Sequence, residues 1–358
     1  MLKNYLQNKQ KVLVALSGGV DSAVSAALLL KKGYKVEAVF MKNWTSNQGL
    51  ISNECPWLED RRSALQVAAH LRIPLHTFDF EKEYSQKVME YFFNEYAAGR
   101  TPNPDVMCNK EIKFKLLYER AMQMGFDFLA TGHYARIKNR CLLRAKDEFK
   151  DQTYFIYNLQ PEQLKHILFP IGGYLKSEVR AMARKFGLPN AGRKESMGLC
   201  FVGKVELDKF LQQKIAPKKG PIVEITSGDK IGEHQGAAYY TLGQRQGIGV
   251  GGSGPYYVVR KELQTNTLVV SKNPEHSELL KNEIEISAVN WISRPGTSPL
   301  KCRGRFRHQQ QPIGLELRES GQEGKYHVRF FSPQRAVAAG QSLVMYKGKI
   351  CLGGGVIV

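Results

Sequence analysis

The sequence predicts an α/β domain built on a doubly wound parallel sheet, followed by two small β-barrel-like domains. The first 200 residues alternate short β-like runs with amphipathic helical stretches. That alternation is typical of a parallel sheet with helices on both faces. From about Lys218 the chain changes to short alternating segments separated by turn residues, which indicates β structure. A chain of 358 residues has room for two or three domains, at roughly 100 to 200 residues each.

The elements of the first part follow from their periodicity. The predicted strands are Lys11–Leu16, Val36–Met41, Leu75–Phe80 and Phe128–Thr131. The predicted helices are Ser22–Lys32, Asp60–Leu71, Tyr84–Ala98, Ile112–Met124, Pro161–Ile167 and Lys176–Phe186, with a break at Gly172–Gly173 before the last.

Later strands are expected at Ile222–Ile225, Tyr256–Arg260, Thr267–Ser271, Lys301–Arg307, Leu315–Arg318, Tyr326–Phe330 and Ser342–Tyr346. The domains are then 1–204, 205–280 and 281–358. A glycine-rich loop over Leu242–Gly254 carries Arg245, and it is either a hinge or a surface that closes over a partner.

Charge favours a polyanionic partner. Lys and Arg outnumber Asp and Glu by 52 to 33, and residues 281–358 contain 12 basic and 5 acidic side chains. Such an excess suits nucleic acid. The apolar runs fall short of the roughly 18 residues of a membrane span, and Met1–Lys11 is polar, so we expect a cytoplasmic protein without membrane contact. The six cysteines lack zinc-site spacing, so no metal site is expected from them.

The strand at Lys11–Leu16 runs into Ser17-Gly18-Gly19-Val20-Asp21-Ser22 and then into a helix. A turn of this kind aims backbone N–H groups at an anion, although an ordinary βα turn also fits two glycines. The Lys of a Walker A loop is missing. The full string resembles the PP-loop of the N-type ATP pyrophosphatases, which split ATP into AMP and pyrophosphate. The resemblance implies a nucleotide site formed by Ala15, Leu16, Ser17, Gly18, Gly19, Val20, Asp21, Ser22, Met41 and Gly132, with Asp21 as a candidate Mg²⁺ contact.

Two cysteines lie where a reactive thiol would be favoured. Cys108 follows Arg100-Thr-Pro-Asn-Pro-Asp105 and precedes a helix expected to begin near Asn109, so the helix dipole and Lys110 would stabilise a thiolate. Asp105 is a candidate general acid or base. Cys200 lies in a glycine-rich segment near Arg193 and Lys194. A buried structural cysteine is the alternative at both positions.

A basic strand offers a candidate RNA surface. Arg303, Arg305, Phe306, Arg307 and His308 place cations around an aromatic ring, which suits phosphate contact and base stacking. A solvated β face is the alternative.

These motifs occur together in a known order. Eight motifs are spread over essentially the whole chain: the PP-loop, Met41-Lys-Asn-Trp44, Thr101-Pro-Asn-Pro-Asp-Val-Met-Cys-Asn109, Ala130-Thr-Gly-His-Tyr134, Lys150-Asp-Gln-Thr-Tyr154, Gly198-Leu-Cys-Phe201, Thr241-Leu-Gly-Gln-Arg245 and Cys351-Leu-Gly-Gly-Gly355. In their residues and their order, these motifs resemble those of the tRNA-specific 2-thiouridylases. Two positions depart from the pattern: Met197 stands where Thr is usual, and Phe306 where Tyr is commoner.

The resemblance implies ATP-dependent adenylation of the O2 of the wobble uridine, with Mg²⁺, and attack by a persulfide sulfur carried on Cys200. Cys108 would form a disulfide with Cys200 or act on a sulfide-like intermediate, and the sequence leaves the order of these steps open. A cysteine desulfurase or a sulfur-relay protein would donate the sulfur. The implied tRNA and base contacts are Asn103, Pro104, Asp105, His133, Lys150, Asp151, Gln152, Arg305, Phe306 and Gln341, with 150–204 and 281–358 as the tRNA-binding parts.

Two other classes of function compete. A PP-loop synthetase acting on a small metabolite, similar to argininosuccinate synthase or to amidotransferase-coupled enzymes, needs no reactive thiols and leaves the basic β tail unexplained. A non-catalytic RNA-binding protein explains the charge but not the Ser17–Ser22 string beside Asp105 and Cys108.

Overall fold

The computed structural model describes residues 9–45, 56–194, 202, 206–251, 254–296 and 298–358. Its first layer is a five-stranded parallel sheet in the order β3-β2-β1-β4-β7. The strands are β1 Lys11–Ala15, β2 Lys35–Lys42, β3 Leu75–Asp79, β4 Phe128–Ala130 and β7 Ile167–Leu168. The order reverses between β1 and β4, which places a ligand crevice at the carboxyl ends of these two strands.

Both faces of this sheet are covered. Leu13 and Ala15 of β1 belong to one hydrophobic core, and Val12 and Val14 belong to another. Side chains alternate across a strand, so the two cores lie on opposite faces. The helices are α1 Val20–Lys31, α2 Pro56–Leu71, α3 Glu81–Tyr84, α4 Glu90–Ala97, α5 Pro104–Met107, α6 Tyr118–Gln123, α7 Lys176–Lys185 and, before the second domain, α8 Leu207–Leu211.

Several of these helices are segments of longer ones. A π-helical stretch, Ser85–Met89, joins α3 to α4, and another, Cys108–Leu117, joins α5 to α6. Short 3-10 turns occur at Thr153–Phe155, Gln163–Lys165, Ala237–Tyr239 and Ser277–Leu279. The predicted helix Pro161–Ile167 is wrong, because this segment contains only one 3-10 turn among its residues. Ile167 begins β7 instead: its backbone pairs with Leu129 of β4, and its side chain is buried.

The middle of the chain forms a four-stranded sheet in the order β10-β11-β8-β9. Its strands are β8 Gly220–Glu224, β9 Lys230–His234, β10 Tyr257–Glu262 and β11 Thr267–Ser271. The last of these has the predicted bounds, and the others differ from prediction at their ends or were not predicted.

The C-terminal part is a closed barrel. Its strands are β12 Leu280–Trp291, β13 Leu300–Arg305, β14 Ile313–Glu319, β15 Tyr326–Arg335, β16 Ser342–Lys347 and β17 Ile350–Ile357. They follow the order β12-β15-β14-β13-β16-β17, and β17 pairs again with β12. The predicted fold class, a parallel α/β unit followed by two small β units, is confirmed.

One connection was not predicted. A hairpin of the first part, β5 Ala135–Lys138 and β6 Cys141–Arg144, adds to the barrel sheet through a pairing of Leu143 with Ile350. Its two turn residues, Asn139 and Arg140, both have positive φ, at 51° and 58°, which is the geometry of a tight hairpin turn. Within the described residues, no helix is both long and apolar enough to cross a membrane.

Candidate functional site: the turn after the first strand and the loop before Cys108

The turn between β1 and α1 is held in place by hydrogen bonds to the carbonyl group of Gly18. Gly18 has φ +78°, and a Cβ there would lie 2.4 Å from the Asp60 carbonyl oxygen, so no side chain fits. Its carbonyl oxygen accepts hydrogen bonds from Ser63 Oγ at 2.7 Å, Asn190 Nδ2 at 2.8 Å and Arg193 Nη1 at 3.1 Å. In a planar trans peptide, C=O and N–H point in opposite directions. The three donors therefore orient the Gly19 N–H at the start of α1, where it makes a long contact of 3.5 Å with Ser17 Oγ.

Ser22 and Gly132 complete the turn. Ser22 Oγ accepts from the Ser17 N–H at 3.2 Å and donates to the Gly19 carbonyl at 3.0 Å. Gly132, just after β4, comes so close that a Cβ would lie 2.7 Å from Ser22 N. Met41 is buried near the end of β2, in the same core as Ala15. The structure thus brings the predicted nucleotide residues to one edge of the sheet, and their contact with ATP stays a prediction.

Asp21, in the first turn of α1, has two partners from distant parts of the chain. Lys176 Nζ lies 2.7 and 2.8 Å from its two carboxylate oxygens, and the Tyr134 hydroxyl donates to Oδ1 at 3.0 Å. Asp21 remains 30% exposed at its side chain.

The chemistry of this edge fits a polyphosphate. It combines the N-terminus of a 12-residue helix, a fixed Gly19 N–H and the Lys176 ammonium. Mg²⁺ is commonly held by one or two carboxylates together with substrate phosphates. Asp21 can supply such a carboxylate, and no group of three or more His, Cys, Asp or Glu side chains among the described residues is arranged to bind a metal on its own.

Sequence reasoning missed Ser63, Asn190, Lys176 and Tyr134, because each lies more than 40 residues from the atom it contacts. Arg193 was noted as a charge near Cys200. In the structure it holds the turn between β1 and α1: Arg193 Nη2 lies 2.7 Å from Asp60 Oδ1, and Nη1 donates to the Gly18 carbonyl. Burial raises the pKa of Asp60, and the Arg193 charge opposes that rise.

The loop that precedes Cys108 is fastened from several sides. Thr101 N donates to the Ala339 carbonyl at 2.8 Å, and Thr101 Oγ1 donates to Thr241 Oγ1 at 3.3 Å. Gly340 packs against Thr101, where a Cβ would lie 3.0 Å from the threonine N and O. Residues of the middle and C-terminal parts therefore position a loop of the first part.

The helix after this loop begins earlier than predicted. Asn103 caps it by accepting from the Val106 N–H at 3.2 Å, and Pro104 is its first residue. Cys108 therefore lies in the second turn and not at the N-terminus, and it is 0% exposed. Lys110, which was expected to stabilise the Cys108 thiolate, is exposed, and its Nζ lies 3.6 Å from Glu111 Oε1. The predicted reason for a reactive Cys108 is thus wrong; its role stays a prediction.

Asp105 is partly exposed one turn before Cys108. Asn103 is also partly exposed, whereas Pro104 is buried. Cys200, the other predicted catalytic cysteine, lies outside the described residues, and its role stays a prediction as well.

Several predicted RNA contacts are buried. Arg305 and Phe306 are 2% and 1% exposed, and the Asp151 side chain is 0% exposed. Arg305 Nη2 lies 2.6 Å from Asp151 Oδ2, and its Nε donates to the Tyr346 hydroxyl at 3.0 Å. Arg305 therefore lies inside the protein, where Asp151 supplies a buried counter-charge, and RNA contact by Arg305, Phe306 and Asp151 stays a prediction. Arg303 and Arg307 are exposed.

The remaining predicted contacts differ in exposure. His133 is 8% exposed, with Nδ1 2.7 Å from Thr131 Oγ1. Burial, with Lys113 adding to its effect, holds the pKa of His133 well below its ordinary value of 6.5. Lys150, Gln152 and Gln341 are half-buried, and Gln341 Oε1 is a buried atom without a hydrogen-bond partner. Direct RNA contact by any of these residues stays a prediction.

Three family models match the chain in order. They are a tRNA methyl transferase HUP domain over residues 10–204, a tRNA methyl transferase PRC-barrel domain over residues 208–272 and an aminomethyltransferase beta-barrel domain over residues 281–357.

Individual relatives match over nearly the full length. The tRNA-specific 2-thiouridylase MnmA of Geobacillus thermodenitrificans is 44% identical over 362 residues, covering 99% of this chain and 96% of the relative. The protein of the same name from Enterococcus faecalis is 45% identical, covering 98% of this chain and 96% of the relative. That from Marinomonas sp. is 43% identical, covering 97% and 91%.

Proposed function

Since the chain belongs to the family of tRNA-specific 2-thiouridylases, we propose that it replaces O2 of the wobble uridine of tRNA with sulfur, at the expense of ATP. The observation that carries this proposal is the β1–α1 turn, whose Gly18 carbonyl is held by three donors while the helix N-terminus faces the crevice between β1 and β4.

In the first step, uridine O2 attacks the α-phosphorus of ATP, and the bond to the β-phosphate breaks. The products are O2-adenylated uridine and pyrophosphate. The backbone N–H groups of the turn and the N-terminus of α1 bind the phosphates and favour the charge that develops on the leaving group. Mg²⁺, held by Asp21 and the phosphates, would neutralise part of that charge.

In the second step, the outer sulfur of a persulfide on Cys200 attacks C2, and AMP leaves with the former uridine oxygen. The base is then joined to Cys200 through a disulfide. Cys108 thiolate attacks the Cys200 sulfur, which releases the thiolated base and leaves a Cys108–Cys200 disulfide. A dithiol or thiol reductant restores the two cysteines, and a desulfurase or sulfur-relay protein reloads Cys200.

We assign to Asp105 the transfer of a proton near the base. Its partial exposure and its position one turn before Cys108 support this role. Asn103 and Pro104, in the same loop, are proposed to touch the base. The excess of basic side chains, 52 against 33, supplies the attraction for the tRNA backbone.

AMP release tests this proposal against a metabolite-specific synthetase and a non-catalytic RNA-binding protein. We expect AMP when the protein is incubated with Mg²⁺-ATP, unmodified tRNA and a cysteine desulfurase with cysteine, which supplies persulfide sulfur, and none with metabolite pools lacking RNA. Asp21→Ala should abolish AMP formation, whereas Asp229→Ala, an exposed acidic position in the middle domain, should not. AMP formation with metabolites, or RNA binding without AMP formation, would contradict the proposal.

A further inference from the structure

Tyr154 is a buried side chain whose hydroxyl group joins the first part of the chain to the barrel. The residue lies in the 3-10 turn Thr153–Phe155 and is 2% exposed. Its hydroxyl has one proton, for which two barrel carbonyl oxygens are in reach, that of Phe306 at 3.0 Å and that of Ser342 at 3.1 Å. The turn is therefore fixed against the C-terminal domain.

The same hydroxyl group meets the loop before Cys108. Burial raises the pKa of Tyr154, and a hydrogen bond with the Asn103 side chain opposes that rise. A hydrogen bond lowers the pKa of a phenol when the phenol oxygen accepts it, so the Asn103 amide N–H is the donor. The side-chain oxygen of Asn103 accepts from the Val106 N–H at 3.2 Å. Both ends of the amide are thus engaged, which fixes its orientation and leaves one N–H for the base.

The turn also contacts the far end of the same helical segment. Asn109, the residue after Cys108, is 4% exposed, and its Nδ2 donates to the Phe155 carbonyl oxygen at 3.1 Å. Asn103 and Asn109 enclose Asp105 and Cys108 in the sequence. This turn therefore holds, at both ends, the segment that carries the proposed acid or base and one of the proposed cysteines.

We propose that Tyr154 is a positioning residue, which orients Asn103 and ties the loop that receives the wobble uridine to the barrel. The turn directly follows Lys150–Gln152, the proposed tRNA contacts, so RNA bound there lies beside the segment that orients the base. Tyr154 acts through Asn103 and touches neither the uridine nor ATP. The inference rests on the proposed function, because it assumes that this loop receives the uridine.

Tyr157 provides a matched control for a hydroxyl group that only joins the two domains. It is also 2% exposed, and its hydroxyl bonds Ser342 Oγ at 3.0 Å and the Asn158 side chain. Its ring packs on the barrel, where a Cβ at Gly354 would lie 2.8 Å from Tyr157 Cδ2. Tyr157→Phe therefore removes a buried hydroxyl bonded to the same barrel residue.

Steady-state AMP formation with saturating Mg²⁺-ATP, varied unmodified tRNA and a cysteine desulfurase with cysteine compares Tyr154→Phe with Tyr157→Phe. Each variant keeps its ring and loses one hydroxyl, so their melting temperatures should agree within about 2 °C. A misplaced reacting group costs up to about 100-fold in rate. We expect Tyr154→Phe to lower kcat about 10- to 100-fold, with KM for tRNA within about twofold of wild type. Tyr157→Phe should retain both constants within about twofold.

Asn103→Ser tests whether Tyr154 acts through Asn103. Serine keeps the acceptor that caps the helix but has no amide N–H to donate to Tyr154. We expect a fall in kcat at least as large as that of Tyr154→Phe. Adding Tyr154→Phe to Asn103→Ser should then lower kcat by no more than about a further twofold, since the two side chains act as one unit.

The outcomes distinguish failure of this inference from failure of the proposed function. Wild-type kcat in Tyr154→Phe would overturn the role of Tyr154 and leave the proposed function standing. Equal falls in Tyr154→Phe and Tyr157→Phe would also overturn it, because they indicate a structural role. Losses that multiply in the double variant would show that Tyr154 does not act through Asn103. A wild-type protein that forms no AMP with tRNA would contradict the proposed function and, with it, this inference.

Discussion

The buried pair of Arg305 and Asp151 gives a stability prediction of defined size. The Asp151 side chain is 0% exposed and the Arg305 side chain 2%, with 2.6 Å between Oδ2 and Nη2. Removing one partner of a buried pair typically costs about 3 to 5 kcal/mol, because the other charge is left uncompensated. Two features place the cost of Arg305→Met at the lower end of this range. Asp151 keeps hydrogen bonds from Ala145 N and Thr153 Oγ1, and Arg144 Nε lies 3.5 Å from Asp151 Oδ2.

We therefore expect a loss of about 3 kcal/mol. For 358 residues this is equivalent to a fall in Tm of about 4 °C, at an unfolding entropy of roughly 2.1 cal/mol/K per residue. Differential scanning calorimetry measures it. Arg303→Met is the matched control, since Arg303 is exposed two residues earlier in the same strand, and its Tm should change by no more than about 2 °C. Asp151→Asn combined with Arg305→Met should recover part of the loss. Equal melting temperatures for Arg305→Met and Arg303→Met would refute the reasoning.

Arg303 and Arg307 are exposed, and replacing both with Gln should weaken the salt dependence of tRNA binding. The slope of log K against log[salt] should become shallower by up to about 0.7 for each phosphate that is no longer neutralised. An unchanged slope would place the RNA elsewhere. Because the pKa of His133 is lowered in the folded state, neutral His133 contributes fully to the unfolding free energy above pH 6.5, and this contribution is lost as the pH falls below that value. His133→Gln should therefore reduce the fall in unfolding free energy between about pH 6.5 and 5. A pH dependence equal to that of the wild type would contradict this. After one turnover without reductant, peptide mapping should find a Cys108–Cys200 disulfide, and two alkylatable thiols beside thiolated tRNA would exclude the paired-cysteine mechanism.

Local patterns predicted the parallel sheet well, because each strand and helix is specified by its own periodicity. The bounds of β1 differ from the prediction by one residue, and the turn at Ser17–Ser22 lies at the carboxyl end of that strand. Gly132 could be assigned to the same edge only through the family resemblance. Its physical reason, an approach to Ser22 too close for a Cβ, requires coordinates.

Long-range pairings could not be predicted from local sequence. Arg305 is indistinguishable from Arg303 and Arg307 until Asp151, 154 residues earlier, is known to lie beside it. The same holds for the hairpin that reaches the barrel through Leu143 and Ile350. The early start of the helix before Cys108 is a different case. Asn103 as cap and Pro104 as first residue are standard helix-start signals, and they were present in the sequence.

The fate of the uridine oxygen tests the central claim most directly. An anticodon stem-loop carrying ¹⁸O at O2 of the wobble uridine is thiolated in a single turnover with unlabelled ATP, and the AMP and pyrophosphate are examined by mass spectrometry. If O2 is adenylated, the AMP formed carries one ¹⁸O for each thiolated uridine, and the pyrophosphate carries none. Thiolated product accompanied by unlabelled AMP would contradict the account, because the oxygen would then have left C2 without ever being joined to the nucleotide.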